Sequence, residues 1–177
     1  YAVLEYPFSF WQGGYSCDSI PKENTTIEEA VNYFISTDPL SLFSDDYVKY
    51  YGPQLYQAAT EMGYYGYEIN VFKKYIKALP NDKNPHATYL SKDEFDDTLL
   101  KKVDKWIKSD GNKFIYIYGS LDTWSACAIK PSKKVDSKAF FLDGKSHSDA
   151  RIKNMNEEEK QELISTLENW LSIDIEE

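Results

Sequence analysis

The chain has 177 residues, 42% hydrophobic and 28% charged, ordinary proportions for a globular protein large enough to bury a proper core. Its net charge of −9 argues against nucleic acid, which needs a basic face to displace counterions, and against anionic membranes. No apolar run approaches the roughly 20 residues that span a bilayer, no signal peptide is visible, and the opening Tyr-Ala-Val is that expected of a fragment or processed product.

Residues 1–111 read mainly as helices and loops, and residues 112–177 as strand, loop, strand, loop, helix. Thr26 with Glu29 has the pattern of a capping box. Ile27, Ala30, Val31, Phe34 and Ile35 follow at helical spacing, and Asp38-Pro39 stops that helix. A short helix is expected over Asp45 to Tyr51. Gly52-Pro53 breaks it, and Pro53 suits the first turn of a further helix running to Met62 with Gly63 as its stop. Asn70 is placed to cap Val71 to Leu79, which Pro80 closes, and Asn81 to Pro85 reads as a loop. Ser91 with Glu94 repeats the capping-box pattern. Phe95, Leu99, Val103, Trp106 and Ile107 form the expected buried stripe of that helix, which Gly111 ends.

The run Lys113 to Tyr118 is β-prone and apolar on both faces, as in a strand inside a parallel sheet. The loop "YGSLDTWSACA" leads to a second strand, Lys138 to Leu142, and then to the loop "DGKSHSDAR". Asn156 caps a last helix with the stripe Leu163, Ile164, Leu167, Trp170 and Leu171. This order is that of the end of a doubly wound α/β sheet, whose ligands bind beyond the C-terminal strand ends. Two strands alone leave an open apolar edge, so residues 112–177 are expected to need upstream residues, a second copy or the helical region for full order.

A serine hydrolase needs an attacking hydroxyl, an imidazole to take its proton and a carboxylate to fix the imidazole. In α/β-hydrolases the chain order is Ser, then Asp or Glu, then His. Asp122 lies four residues past the first strand and His147 five past the second, which fits the last two members. Taken singly, either residue also reads as an ordinary turn or surface position. No G-x-S-x-G elbow occurs, and Ser120 stands in the acid loop, so nucleophile and oxyanion hole are expected upstream.

Other features leave alternatives open. The acidic balance suits a cationic substrate such as a free peptide N-terminus, and equally plain solubility. The 15 tyrosines suit a cleft, a carbohydrate-binding surface or core packing. Cys17 and Cys127 lack zinc spacing and are compatible with a pair or with buried thiols. Only His86 and His147 can supply an imidazole. No cluster has metal-ligand spacing, His147 with Asp149 reads as a turn, and no cofactor is implied.

"YGSLDTWSACA" followed by "FFLDGKSHSDARI" resembles the C-terminal catalytic segment of the bacterial secreted tripeptidyl aminopeptidases, the PS-10 serine peptidases, distant relatives of the prolyl carboxypeptidase and dipeptidyl peptidase group. The shared patterns are Gly-x-x-Asp-x-Trp, here Gly119, Asp122 and Trp124, and Gly-x-x-His, here Gly144 and His147. "EYPFSFWQGGYSCDSIP" and "LYQAATEMGYYGYE" are similar to the family's helical cap, so the likeness runs from Glu5 to Leu171. It implies an α/β-hydrolase sheet, here its C-terminal part over 112–177, preceded by a mainly helical cap (lid) over 1–111. It implies a secreted or periplasmic serine aminopeptidase that removes short peptides from free N-termini. Asp122 is then the triad acid and His147 the base, and the nucleophile belongs to an upstream catalytic segment of the same protein. Tyr56, Gln57, Thr60 and Glu61 fall on a cap motif that faces substrate in the relatives, with Glu61 the candidate for the α-ammonium group. Phe10, Trp11, Tyr64 and Tyr65 are candidates for an aromatic subsite, with Trp124 beside the acid. An exposed helix glutamate and plain cap packing are the simpler readings of these residues. Where eukaryotic relatives often carry cysteine in the cap motif, this chain has Ala59, so a disulfide is not expected there. The rival readings are an esterase or lipase with the same triad, a non-catalytic binding protein on the same frame, and a carbohydrate-binding module.

Overall fold

A computed structural model of the protein describes residues 1–77 and 94–175. The expected loop Asn81 to Pro85, His86 and the capping residue Ser91 lie outside the described residues, as does the end of the helix expected up to Leu79. The chain divides into two compact units. One comprises Tyr1–Phe10 and Cys17–Asp104, the other Trp11–Ser16 and Lys105–Glu177.

The first unit is helical. A helix that the sequence did not announce, α1 (Ala2–Gly13), opens the chain, with Pro7 inside it and Leu4 and Phe10 buried. Proline removes a helix donor, which is why the segment carries a weak helix signal. Helix α2 (Ile27–Thr37) has the capping box of Thr26 and Glu29. Its stripe is not a buried one among the described residues: Ile27 is 84% exposed, and Val31 and Ile35 are also exposed. Helix α3 (Asp45–Tyr50) is capped by Ser44, and α4 (Gly52–Gln57) has Pro53 in its first turn. The expected continuation to Met62 is a π-turn, Ala58–Met62, closed by Gly63 N–H donating to the Ala58 carbonyl at 2.9 Å. Gly63 has φ +79°, the left-handed conformation that makes glycine the natural stop. Asn70 starts a 3₁₀ turn, Asn70–Phe72, rather than capping an α-helix, and the following described residues are turn and coil.

Helix α5 (Thr98–Ser109) starts later than the Ser91–Glu94 pattern implies. Asp96 supplies a local cap, its Oδ1 accepting the Thr98 N–H at 2.9 Å. Its expected buried stripe is corrected as well. Phe95, Leu99, Val103 and Trp106 are exposed, and only Ile107 is half-buried.

In the second unit, β1 (Ile115–Gly119) and β2 (Lys138–Leu142) pair in parallel, with Ile115 opposite Lys138 and Gly119 opposite Leu142. Helix α6 (Glu157–Leu171) has a capping box of Asn156 and Glu159. Phe140, Leu142, Met155 and Leu163 form the core, with Ile115, Ile117 and Leu167 packed against it. Leu171, expected in the helix stripe, is exposed. The other face of the sheet carries an aromatic row. Phe114 stacks near Tyr116, Tyr116 near Tyr118, and Tyr118 near Phe141 at 5.2 Å between ring centres. Phe114 and Phe141 remain exposed. Mixed helix with a small parallel sheet is thus the observed architecture. Cys17 and Cys127 are free and exposed, neither paired nor buried. No helix among the described residues is long and apolar enough to cross a membrane.

Candidate active site

The two strands end side by side, and the loops that leave them are tied together by backbone. Ser120 N–H donates to the Leu142 carbonyl and Leu121 N–H to the Lys145 carbonyl, both at 3.0 Å. Ser120 Oγ accepts the Gly144 N–H at 2.8 Å and donates to Asp143 Oδ1 at 3.2 Å. The hydroxyl of Ser120 is therefore occupied in joining the loops.

Asp122 follows two residues later as the cap of a 3₁₀ turn, Thr123–Cys127. Its two oxygens have separate tasks. Oδ1 accepts the Trp124 N–H at 3.1 Å, and Oδ2 accepts the His147 Nδ1–H at 2.8 Å. The cap bond stops the carboxylate from rotating away from the imidazole. A proton held on Nδ1 leaves the Nε2 lone pair available as a base. The Asp122 side chain is only 9% exposed while that of His147 is 51% exposed, so the carboxylate is shielded and the imidazole is open. His147 is also held through its main chain. Its N–H donates to the Gln12 carbonyl at 3.1 Å, and its carbonyl accepts from Arg151 Nη1 at 3.0 Å.

The structure thus brings Asp122 and His147 together. Trp11 and Trp124, also in the second unit, are exposed. In the first unit Tyr56, Gln57 and Glu61 are exposed, and Thr60 is buried with its hydroxyl donating to the Tyr56 carbonyl at 2.9 Å. Tyr64 and Tyr65 are half-buried and stacked at 4.7 Å. Phe10 is buried, with its ring 5.9 Å from that of Tyr6.

Two carboxylates escaped the sequence reading. Glu5 accepts the Tyr65 hydroxyl at 2.6 Å and the Tyr67 hydroxyl at 2.8 Å. Burial, with the Glu5 charge beside them, pushes both phenols well above the usual tyrosine range. Asp38 is fully enclosed, with Ser9 Oγ donating to Oδ1 at 3.0 Å and no partner for Oδ2 among the described residues. Burial raises its pKa from 3.8 to about 6, against the Ser9 hydrogen bond, which lowers it. Asp38 reads locally as a helix stop before Pro39, and nothing near Glu5 in the sequence signals its distant phenols.

Residues 1–174 match the family model described as PS-10 peptidase S37. Among curated proteins the chain is similar to a prolyl tri/tetrapeptidyl aminopeptidase of Streptomyces mobaraensis, 22% identical over 179 residues that cover 97% of this chain and 37% of that protein. The chain therefore spans little more than a third of the length of that curated relative. No solved structure matches the chain.

Proposed function

Because the chain belongs to the PS-10 peptidase S37 family, we propose that it is the part of a serine exopeptidase that carries the acid and base of a Ser-Asp-His triad, with cap and α/β-hydrolase segments as read from the sequence. The observation that carries this reading is the 2.8 Å contact of His147 Nδ1 with Asp122 Oδ2 at two adjacent strand ends. The relative's name, a prolyl tri/tetrapeptidyl aminopeptidase, supports release of short peptides from free N-termini.

In this reading a serine outside these 177 residues attacks the carbonyl. His147 Nε2 takes its proton and later delivers it to the leaving amine, while Asp122 holds the ring and stabilises its positive form. Glu61 meets the substrate's ammonium group, Gln57, Tyr56, Tyr64 and Tyr65 contribute to its binding, and Trp11 and Trp124 offer aromatic contact. The enzyme acts outside the cytoplasm, and the 177 residues alone do not turn over peptide. Two facts support the fragment reading. The chain covers 37% of its relative, and its parallel strands expose aromatics on one face, whereas parallel sheets are normally covered on both.

The test is made in the complete protein with a peptide bearing a free N-terminus. Asp122→Asn should lower kcat by roughly 10⁴-fold, and His147→Ala should lose at least as much. Turnover that survives His147→Ala would show that another group is the base. Glu61→Gln should raise KM for such a peptide and leave a neutral ester unaffected.

A further inference from the structure

His147 follows Ser146, a residue 1% exposed, and two glycines far apart in sequence close on that segment. Gly119 ends β1. A Cβ there would lie 2.3 Å from the Lys145 carbonyl oxygen and 2.9 Å from that of Ser146. Gly14 follows α1 with φ +74°, and a Cβ there would lie 2.9 Å from both Cβ and Oγ of Ser146. Between the glycines, Leu121 N–H holds the Lys145 carbonyl at 3.0 Å and the Gln12 carbonyl holds the His147 N–H at 3.1 Å. Ser146 Oγ, in turn, donates to Asp149 Oδ2 at 2.7 Å.

We infer that Gly14 and Gly119 are positioning residues for His147: pressed against Lys145 and Ser146 from two sides, they set where the imidazole stands relative to Asp122. The inference rests on reading Asp122 and His147 as acid and base. Gly119 lies in the loop motif already singled out. Gly14 lies about 130 residues upstream, and its part in this loop is visible only in three dimensions.

The two contacts differ in kind, which makes the idea testable. Gly119 faces main-chain carbonyls, which cannot turn aside. An alanine there must push the Lys145 carbonyl back by about 1 Å to reach ordinary contact, and a misplacement of that size can cost about 10²-fold in rate. Gly14 faces a side chain, so removing that side chain should relieve the pressure. Gly63 shares the positive φ, at +79°, but its nearest neighbour would be Phe95 Cζ at an ordinary 3.8 Å. It separates backbone strain from contact.

Gly14→Ala, Gly119→Ala, Gly63→Ala and Ser146→Gly are made in the complete protein, with Ser146→Gly also combined with each of the first two. The low-field proton resonance of His147 Nδ1–H reports the Asp122 contact directly, without turnover. Gly14→Ala and Gly119→Ala should shift or broaden it, and Gly63→Ala should leave it unchanged. Ser146→Gly should restore the signal in the Gly14→Ala background and not in the Gly119→Ala background. In the complete enzyme, Gly119→Ala should lower kcat about 10²-fold with little change in KM. Should Gly119→Ala not fold, the Gly14 and Ser146 pair decides, because Gly14 lies on an exposed turn. A folded Gly14→Ala chain with an unaltered His147 signal overturns the inference, as does a loss of equal size with and without Ser146. Loss of the hydrolase reading would show instead as turnover surviving His147→Ala.

Discussion

The two units solve the placing of polar groups in opposite ways. The first encloses carboxylates: Asp38 is fully covered, and Glu5 is bound by the half-buried Tyr65 and the buried Tyr67. The second keeps its core apolar, with Phe140, Leu142, Met155 and Leu163, and sets Asp122 and His147 at the strand ends. An open imidazole can meet a substrate, whereas a buried carboxylate with one oxygen unpartnered among the described residues is under electrostatic stress. The contrast teaches that enclosure does different things to two carboxylates: burial raises the pKa of Asp38 to about 6, whereas the shielded Asp122 is paired with an imidazole that stays open.

The sharpest way to break the apolar side of this comparison is Leu142→Ala. Leu142 is 1% exposed, and its carbonyl accepts the Ser120 N–H that ties the two loops. Truncating a buried leucine typically costs about 2–5 kcal/mol through lost transfer energy and the cavity left behind. Urea unfolding followed at the second unit should show a midpoint lowered accordingly. Amide exchange of Ile115–Gly119 should accelerate, while exchange in α2 should stay as it is. Equal acceleration in both would mean that the units do not unfold separately.

The stress at Asp38 gives the next effect. Its folded pKa, about 6, lies above the ordinary 3.8, so the folded state holds the proton more tightly than the unfolded one. Its contribution to stability is fully present below about pH 4 and is lost as pH rises through about 6. Two pKa units and a little more correspond to on the order of 3 kcal/mol across that window. Asp38→Asn cannot titrate and should remove this slope from the difference between pH 4 and pH 7 stabilities. An unchanged slope in the variant would assign the pH dependence to other carboxylates.

What the sequence made legible follows the same division. In the second unit, strand β2 has the expected bounds, Asn156 caps the last helix, and the loops after β1 and β2 hold a paired carboxylate and imidazole. These are short-range signals: a run of β-prone residues, a cap three residues ahead of a glutamate, a loop at a strand end. In the first unit, helix α1 was missed because Pro7 weakens its local pattern. The pairing of Glu5 with Tyr65 and Tyr67 spans about 60 residues, and no local spacing encodes it. The apolar stripes of α2 and α5 are real periodicities, yet most of their residues lie exposed in the described structure. Periodicity tells which face of a helix would be buried but not what buries it. The grip of Gly14 on Ser146 was likewise hidden, since a glycine at a helix end looks like an ordinary stop.

The smallest effect sharpens this last point, because each unit holds one helix with the same cap. Thr26 accepts the Glu29 N–H at 3.2 Å and Asn156 the Glu159 N–H at 2.9 Å, and in both the glutamate reaches back to the cap N–H. Replacing either cap by alanine removes about 1 kcal/mol of helix stability. The consequences should differ. Helix α6 places Leu163 in the core, so fraying its first turn loosens packing that the whole unit shares. Asn156→Ala should therefore appear as a lower unfolding midpoint of the second unit. Helix α2 packs through its far end, where Phe34 stacks on Tyr6 and Thr37 is buried, while its first turn leaves Ile27 exposed, so little tertiary contact propagates the loss. Thr26→Ala should raise amide exchange within α2 and leave the global midpoint nearly unchanged. If Thr26→Ala lowers the midpoint as much as Asn156→Ala does, the exposed face of α2 is covered in solution and the contrast between the two helices disappears.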